Sequence, residues 1–325
     1  MSLLDRTITL ARNRALTAAD TWERHLVVAE LAAGPRGRSP SRPSGRGATR
    51  AIPACASAPR RSTGPSRPAE RSFYPAALPM PLIDHAIALA RNRALTAADT
   101  WERHLVVAEL AGEPRQVLDV GGLPGQLGSF LPGAAVVAAN IEPPADLLLD
   151  GDGLPFRDRA IEVVTSLDAL EHVPPAARAG FIAELVRVTA RRLILCCPLG
   201  TPEHVAAERA VGDWYRGLTG DDHPWLAEHA ENGLPTRAEL ETWLAAATGP
   251  GDAVRLAFHG DFRVTDAQFQ EIVLARHRPT PASVSRFARH RLAHRPDTRL
   301  ADEPTPHTNR VFAVVDRGDR PAGGR

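Results

Sequence analysis

The sequence predicts an α/β protein with a mostly parallel seven-stranded sheet and helices on both faces. Two observations predict it. Short apolar runs recur between residues 116 and 198 with segments of helical spacing among them, the pattern of buried parallel strands joined by crossovers. Polar residues also gather at the carboxyl ends of four successive runs, where open α/β sheets place a ligand crevice.

The elements follow in order. Gln116 opens QVLDVGGLPGQLGSFLP, an apolar run ending at Asp119 and read as the first strand, followed by a turn holding Gly121, Gly122 and Gly125. Glycine here lets backbone approach a ligand without an intervening Cβ. A short helix, Gln126 to Leu131, stops at Pro132-Gly133. Ala135 to Ala139 is a second strand, closed by Asn140-Ile-Glu142, and Asp146 to Leu149 a third, closed by Asp150-Gly-Asp-Gly. Ile161 to Ser166 is a fourth, closed by Leu167-Asp-Ala-Leu-Glu-His172; Pro175 to Thr189 is a helix and Arg192 to Cys197 a fifth strand. Ala253 to His259 and Val311 to Val315 complete the set.

Composition is that of an ordinary α/β chain: 325 residues, 43% apolar and 5% aromatic. All 39 basic residues are Arg and the formal charge is +1, so no overall field points to nucleic acid or an anionic membrane. The three cysteines, Cys55, Cys196 and Cys197, have no metal-ligand spacing and fit a reducing compartment. No run is long and apolar enough for a span, so a cytoplasmic location is expected.

Residues Leu10 to Ala32 and Leu89 to Ala111 are identical over 23 positions. Each copy reads as a helical pair, with a capping-box-like Thr96-Ala-Ala-Asp99 and a stripe of Trp101, Leu105 and Ala108 in the second. Ala33 to Pro79 holds nine Pro and nine Arg against one acid, Glu70, too little apolar surface to offset ordering entropy. The expected organisation is a duplicated helical segment (1–32), a disordered linker (33–79), one catalytic domain (80–316) and a disordered tail (317–325).

The glycine turn lacks the G-x-G-x-x-G spacing of dinucleotide sites, because Leu123 and Gln126 stand where the second and third glycines belong. Asp119 before the turn suits a cationic ligand group better than a pyrophosphate. VLDVGG-x-PG, D-G-D-G-LPF-x-D, D-A-LEH-V-P, ELVRV and ILCCP together resemble the Rossmann-like class I methyltransferases, especially the methyltransferase type 11 group. The resemblance is close from Gln116 to Pro198 and looser to the last strand, which it implies runs antiparallel. It implies S-adenosylmethionine as cofactor. Asp119 would hold its methionine amino group, directly or through water. Gly121, Gly122 and Gly125 would line the methionine and ribose, and Asn140 or Glu142 would accept the ribose hydroxyls. Asp150 with Gly151 and Asp152 would read the adenine, and Asp168 would complete the cofactor set. Asn140 in place of an acid, and Leu123 in place of a glycine, depart from the pattern.

Glu171 and His172 face the expected transfer point and, with His223, are the candidate catalytic residues. Gly200 to Trp243 is the expected acceptor region. There His204 and Glu208 share a helix face, and Trp214, Tyr215 and Trp225 supply aromatic walls. A small acceptor, sugar- or phosphate-bearing or aromatic, is expected, methylated at oxygen or nitrogen. His223, Glu228 and His229 lack a metal-site spacing, so no metal is expected. Arg276 to Arg299, with seven Arg and three His, reads as a solvated helix face, and Cys196-Cys197 as buried hydrophobes. A silent nucleoside-binding module and a nicotinamide-dependent oxidoreductase are the competing readings.

Overall fold

A computed structural model describes residues 98–149, 153–283, 285–286 and 295–318. Expectations for residues 1–97, including the first repeat and the Pro/Arg-rich stretch, lie outside the described residues. So do those for Asp150, Gly151 and Asp152, and for residues 284 and 287–294 of the Arg-rich segment.

Seven strands form one sheet in the order β3-β2-β1-β4-β5-β7-β6. They are β1 (Gln116–Val120), β2 (Ala135–Asn140), β3 (Leu147–Leu148), β4 (Ile161–Leu167), β5 (Thr189–Pro198), β6 (Ala253–Asp261) and β7 (Thr308–Asp316). Strands β1 to β5 pair in parallel, whereas β7 lies antiparallel between β5 and β6. The expected reversal of the last strand is therefore present. Strand β5 begins three residues earlier than its apolar run. Arg191 and Arg192 are accommodated there because they pair outward with Glu162 and Asp316.

Alternation along the central strands feeds two cores. Leu118, Val164, Leu193 and Leu195 turn to one face, against Ile182 and Leu185 of helix α2 (Pro175–Val188). Leu240 and Leu244 of helix α5 (Arg237–Ala247) close the same layer. Val117, Val163, Ile194 and Phe312 turn to the other face, against Val106 and Val107 of helix α1 (Ala98–Ala111). Both faces of β5 are thus dry, as a parallel sheet inside an α/β layer requires.

Helix α1 corrects two expectations. Its buried face carries Trp101, Val106, Val107 and Ala111, while Leu105 and Ala108 are only half-buried. The Asp99 carboxylate turns inward to Arg310 at 2.5 Å, whereas Thr96, the other half of the expected capping box, lies outside the described residues. A buried guanidinium outweighs a backbone N–H as a partner for that charge.

Three further helices cover the sheet's second half: α3 (Pro202–Thr219), α4 (Pro224–Asn232) and α6 (Phe262–His277). Helix α3 carries the His204 and Glu208 expected on one helix face, whereas α4, α5 and α6 were not foreseen. Helix α5 carried a readable signal: Thr236 accepts from the Glu239 backbone N–H, and the Glu239 side chain returns the bond to the Thr236 backbone N–H. Thr236→Ala is expected to lower stability by about 1 kcal/mol through loss of that cap, checked by the urea midpoint.

Candidate active site

The order of strands reverses between β1 and β4, and the carboxyl rim opens there into a crevice of about 500 Å3. Gly121 at the end of β1, Asn140 and Ile141 at the end of β2, and Ala169 and His172 after β4 form its rim. Leu154 and Phe181 give it an apolar floor. A second, polar chamber of about 120 Å3 lies beyond His172, which lines both cavities.

The crevice depends on the glycine turn. Gly121 has φ +85°, and a Cβ on it would lie 2.8 Å from the Ala169 Cβ. A Cβ on Gly122 would run into the Asp119 carboxylate, which is packed beneath the turn and almost wholly buried. Asp119 Oδ1 accepts from Thr165 Oγ1 at 2.8 Å. Burial pushes the Asp119 carboxyl up to about 6, with the Thr165 hydroxyl opposing. Asp119 is therefore one layer below the crevice rather than on its wall. Gly125 is exposed and outside the lining, and the Leu123 side chain is buried.

Asn140 is spent on local structure: Nδ2 donates weakly to the Gly121 and Gly122 carbonyls, and Oδ1 accepts from the Ile141 N–H at 2.8 Å. Its backbone still lines the crevice rim. Glu142 is buried outside the lining, its carboxyl pushed up by burial and Oε2 without a hydrogen-bond partner. Glu184, which sequence reasoning passed over, does line the crevice; it accepts from the Leu154 N–H and pairs with Arg187.

Asp168 requires a correction: it lines the polar chamber, not the crevice. Its φ of +47° turns the chain sharply after β4, a conformation Asp tolerates better than most residues. Its carboxylate is held by Arg310 at 2.7 Å and by Arg103. Arg310 also grips Asp99 and is itself 4% exposed. Burial works against its charge, but the Asp99 carboxylate outweighs it and raises its pKa. The Asp99–Arg310–Asp168–Arg103 chain thus fastens α1 and β7 to the end of β4. The sequence hint was a polar Asn309-Arg310 pair opening an otherwise apolar strand.

After Asp168, a single 3₁₀ turn (Leu170–His172) fixes Glu171 and His172. Leu170 is fully buried, and the buried Arg178 donates to the carbonyls of Glu171, Val173 and Gly233. One guanidinium therefore ties this turn to the end of α4. His172 Nδ1 lies 2.7 Å from Glu228 on α4. Burial raises the Glu171 carboxyl, with neighbouring His172 opposing.

Helices α3, α4 and α6 wall the rest of the chamber with His204, Glu208, His223, His229 and Asp266. His223 is pushed down to about 4 by burial and by His229, so it is neutral at physiological pH. Burial, then the Glu208 and Asp261 carboxylates, lift Asp266 to about 7. Trp225 lines the chamber, but Trp214 and Tyr215 pack into a separate cluster with Val211, Phe269 and Val273. Cys196 and Cys197 are buried, and burial pushes their thiols up, which leaves them as packing groups.

The crevice at the switch point and the lone reversed strand decide the architecture. The fold is that of the class I methyltransferases. No family model matches the sequence. Uncharacterized methyltransferases of Mycobacterium sp. strains JLS and KMS are each 33% identical over 116 residues, which is 31% of this chain and 44% of theirs. The chain thus spans less than half the length of these relatives. Among solved structures, the plantazolicin methyltransferase BpumL with a monoazolic analogue and S-adenosylhomocysteine matches 73% of this chain and 96% of its own. Its TM-score is 0.42 at 10% identity. A Haemonchus contortus phosphoethanolamine N-methyltransferase 2, bound to phosphomonomethylethanolamine and S-adenosylhomocysteine, matches 67% of this chain and 53% of its own. Its TM-score is 0.40 at 12% identity.

Proposed function

We propose that this protein transfers a methyl group from S-adenosylmethionine to a small acceptor at oxygen or nitrogen. The carrying observation is a pair of cavities that share His172 as a wall: an apolar crevice over the glycine turn and a polar chamber on the other side of that side chain. A nucleoside fits the first in kind. Leu154, Phe181 and Ile141 offer flat apolar contact for a base, and Gly121 leaves room where any side chain would intrude. Asp119 beneath the turn supplies a buried negative charge toward the amino end, and Asp150 with Gly151 and Asp152 would serve the base.

When bound, the sulfonium supplies an activated methyl group, so the chain's own task is alignment. Gly121 and the β2 rim seat the donor. His172 stands between donor and acceptor, braced by Glu228, and can accept a proton from an attacking hydroxyl or amine. Glu171 and neutral His223 offer polar contacts to the acceptor. The chamber admits only a small group, which supports a small-molecule acceptor or the tip of a larger one. Among the described residues no helix is long and apolar enough to cross a membrane. The proposed site of action is the cytoplasm, and residues 80–316 are proposed as the domain unit.

Calorimetric titration with S-adenosylhomocysteine tests the reading. One equivalent should bind, and Gly121→Ala should weaken binding at least tenfold, on the order of 1.4 kcal/mol, by pushing the turn off Ala169. Unchanged affinity in that variant, or no binding by the parent chain, would remove the nucleoside from the crevice. Transfer of labelled methyl into a cell extract then separates an enzyme from a silent binding module.

A further inference from the structure

We infer that Glu171, His172 and His229 form a binding site for one divalent transition-metal cation in the polar chamber. Each offers a donor atom, and the three donors lie within 4.8 Å of one another. Their spacing in sequence gave no hint, because the 3₁₀ turn after β4 supplies two donors and α4 the third.

The arrangement around the donors is what a metal centre needs. His172 Nδ1 is taken by Glu228 at 2.7 Å, and His229 Nδ1 by Glu208 at 3.1 Å. A carboxylate on one ring nitrogen fixes the tautomer and directs the other nitrogen outward as a ligand. Both histidines carry such a carboxylate, each from a different helix. His229 Nε2 and Glu171 Oε2 are buried and have no hydrogen-bond partner. Glu171 is 1% exposed. Buried polar atoms left without a partner are costly unless something satisfies them. A cation would satisfy both at once.

Charge points the same way. Five carboxylates and two guanidiniums line the chamber. Both guanidiniums are committed to Asp99 and Asp168. Glu171, Glu208 and Asp266 have no Arg partner among the described residues, so the chamber holds carboxyl groups beyond those its guanidiniums neutralise, and a cation would favour their ionised forms. Two imidazoles with one carboxylate suit Zn, Mn, Fe(II) or Co(II) over Ca or Mg, which prefer all-oxygen shells. Ligand bonds of roughly 2.0–2.2 Å need the donors drawn closer than they stand, a rotamer adjustment for His229 on the chamber wall.

The three donors occupy one side of a coordination shell, and the other side faces the chamber. An acceptor oxygen, from a hydroxyl or a carboxylate, would complete the shell beside His172 and so beside the crevice; with the cation bound, His172 serves as a ligand instead of taking the acceptor's proton, and the cation lowers the pKa of that oxygen in its place. That consequence rests on the methyl-transfer reading; the metal site itself does not.

Full-length protein stripped with a chelator and titrated with Co(II) tests the assignment. We expect one equivalent to bind with a visible d–d spectrum. His229→Gln should weaken binding at least tenfold, and Glu171→Gln likewise. Glu208→Gln, which removes the brace on His229 together with one chamber carboxylate, should weaken it by about 10–100-fold. Circular dichroism and S-adenosylhomocysteine titration of each variant report whether the fold and the crevice persist. Failure of the parent chain to bind cobalt while it binds the nucleoside would overturn the metal site alone, as would cobalt binding that survives His229→Gln. Cobalt binding by a chain that ignores the nucleoside would uphold the metal site and overturn the cofactor reading.

Discussion

Arg310→Met is expected to destabilise the protein by about 3–5 kcal/mol at neutral pH, because it strands carboxylates that the guanidinium now neutralises. Arg310 reaches Asp99 at 2.5 Å and Asp168 at 2.7 Å from a side chain 5% exposed. Met keeps the length and apolar contact of the stem, so the loss reports the charge rather than a cavity. Arg103 remains on Asp168, which leaves Asp99 as the group most exposed to the change. Burial works to raise the Asp99 carboxyl, yet Arg310 and Arg103 hold it below its ordinary 3.8. A depressed carboxyl stabilises the fold above its unfolded pKa and loses that contribution as pH falls through the folded one. The gap between parent and variant should therefore be full at pH 7 and shrink as pH falls, first as the variant's Asp99, raised by burial once Arg310 is gone, takes up a proton, and last as the parent's depressed Asp99 does so. Asp99→Asn added to Arg310→Met should recover part of the loss, since the two groups share one interaction. Urea midpoints for the three chains decide it. A loss under about 1 kcal/mol, or strict additivity of the two substitutions, would mean that the buried pair does not hold α1 and β7 to the sheet.

The sheet was legible because its signals are local. Strands β1, β2 and β4 are short, mainly apolar runs with turn and polar residues after them, and their bounds came within one residue of those observed. The rest required partners that sequence order hides. Asp99 reads as a helix cap until Arg310, 211 positions away, is seen to take its carboxylate. Asp168 reads as one more polar residue at a strand end, where the family pattern puts cofactor contacts. Its left-handed backbone and two arginines place it in the chamber instead. Trp214 and Tyr215 read as acceptor walls from composition, but helical phase turns them into the α3–α6 packing, and Trp225 alone of the three aromatics reaches the chamber. The histidine pair was the least legible feature. His172 and His229 are 57 positions apart, and the contact depends on Arg178 bonding carbonyls from both the 3₁₀ turn and the end of α4.

Asp119 carries the second large effect. The fold holds its carboxyl near 6, against an ordinary 3.8, through burial that the Thr165 hydroxyl only partly offsets. An acid raised on folding keeps its proton where the unfolded chain has lost it. Stability therefore declines as pH climbs from about 4 to about 6 and is flat above, a loss approaching 3 kcal/mol at 1.36 kcal/mol per unit. A fold gains nothing for itself by ionising that group at neutral pH. A ligand ammonium across the glycine turn would gain from it, because the buried carboxylate is weakly solvated and its field poorly screened. Binding of S-adenosylhomocysteine should accordingly tighten about tenfold between pH 5 and pH 8, as Asp119 ionises and the bound amino group draws its pKa back down. Asp119→Asn should bind at the weak, low-pH level throughout and show a flatter profile. Other groups titrate in this range, Asp266 near 7 among them, so the deciding quantity is the difference between the two pH profiles. Parallel profiles would detach Asp119 from the cofactor and leave its buried charge a matter of folding alone.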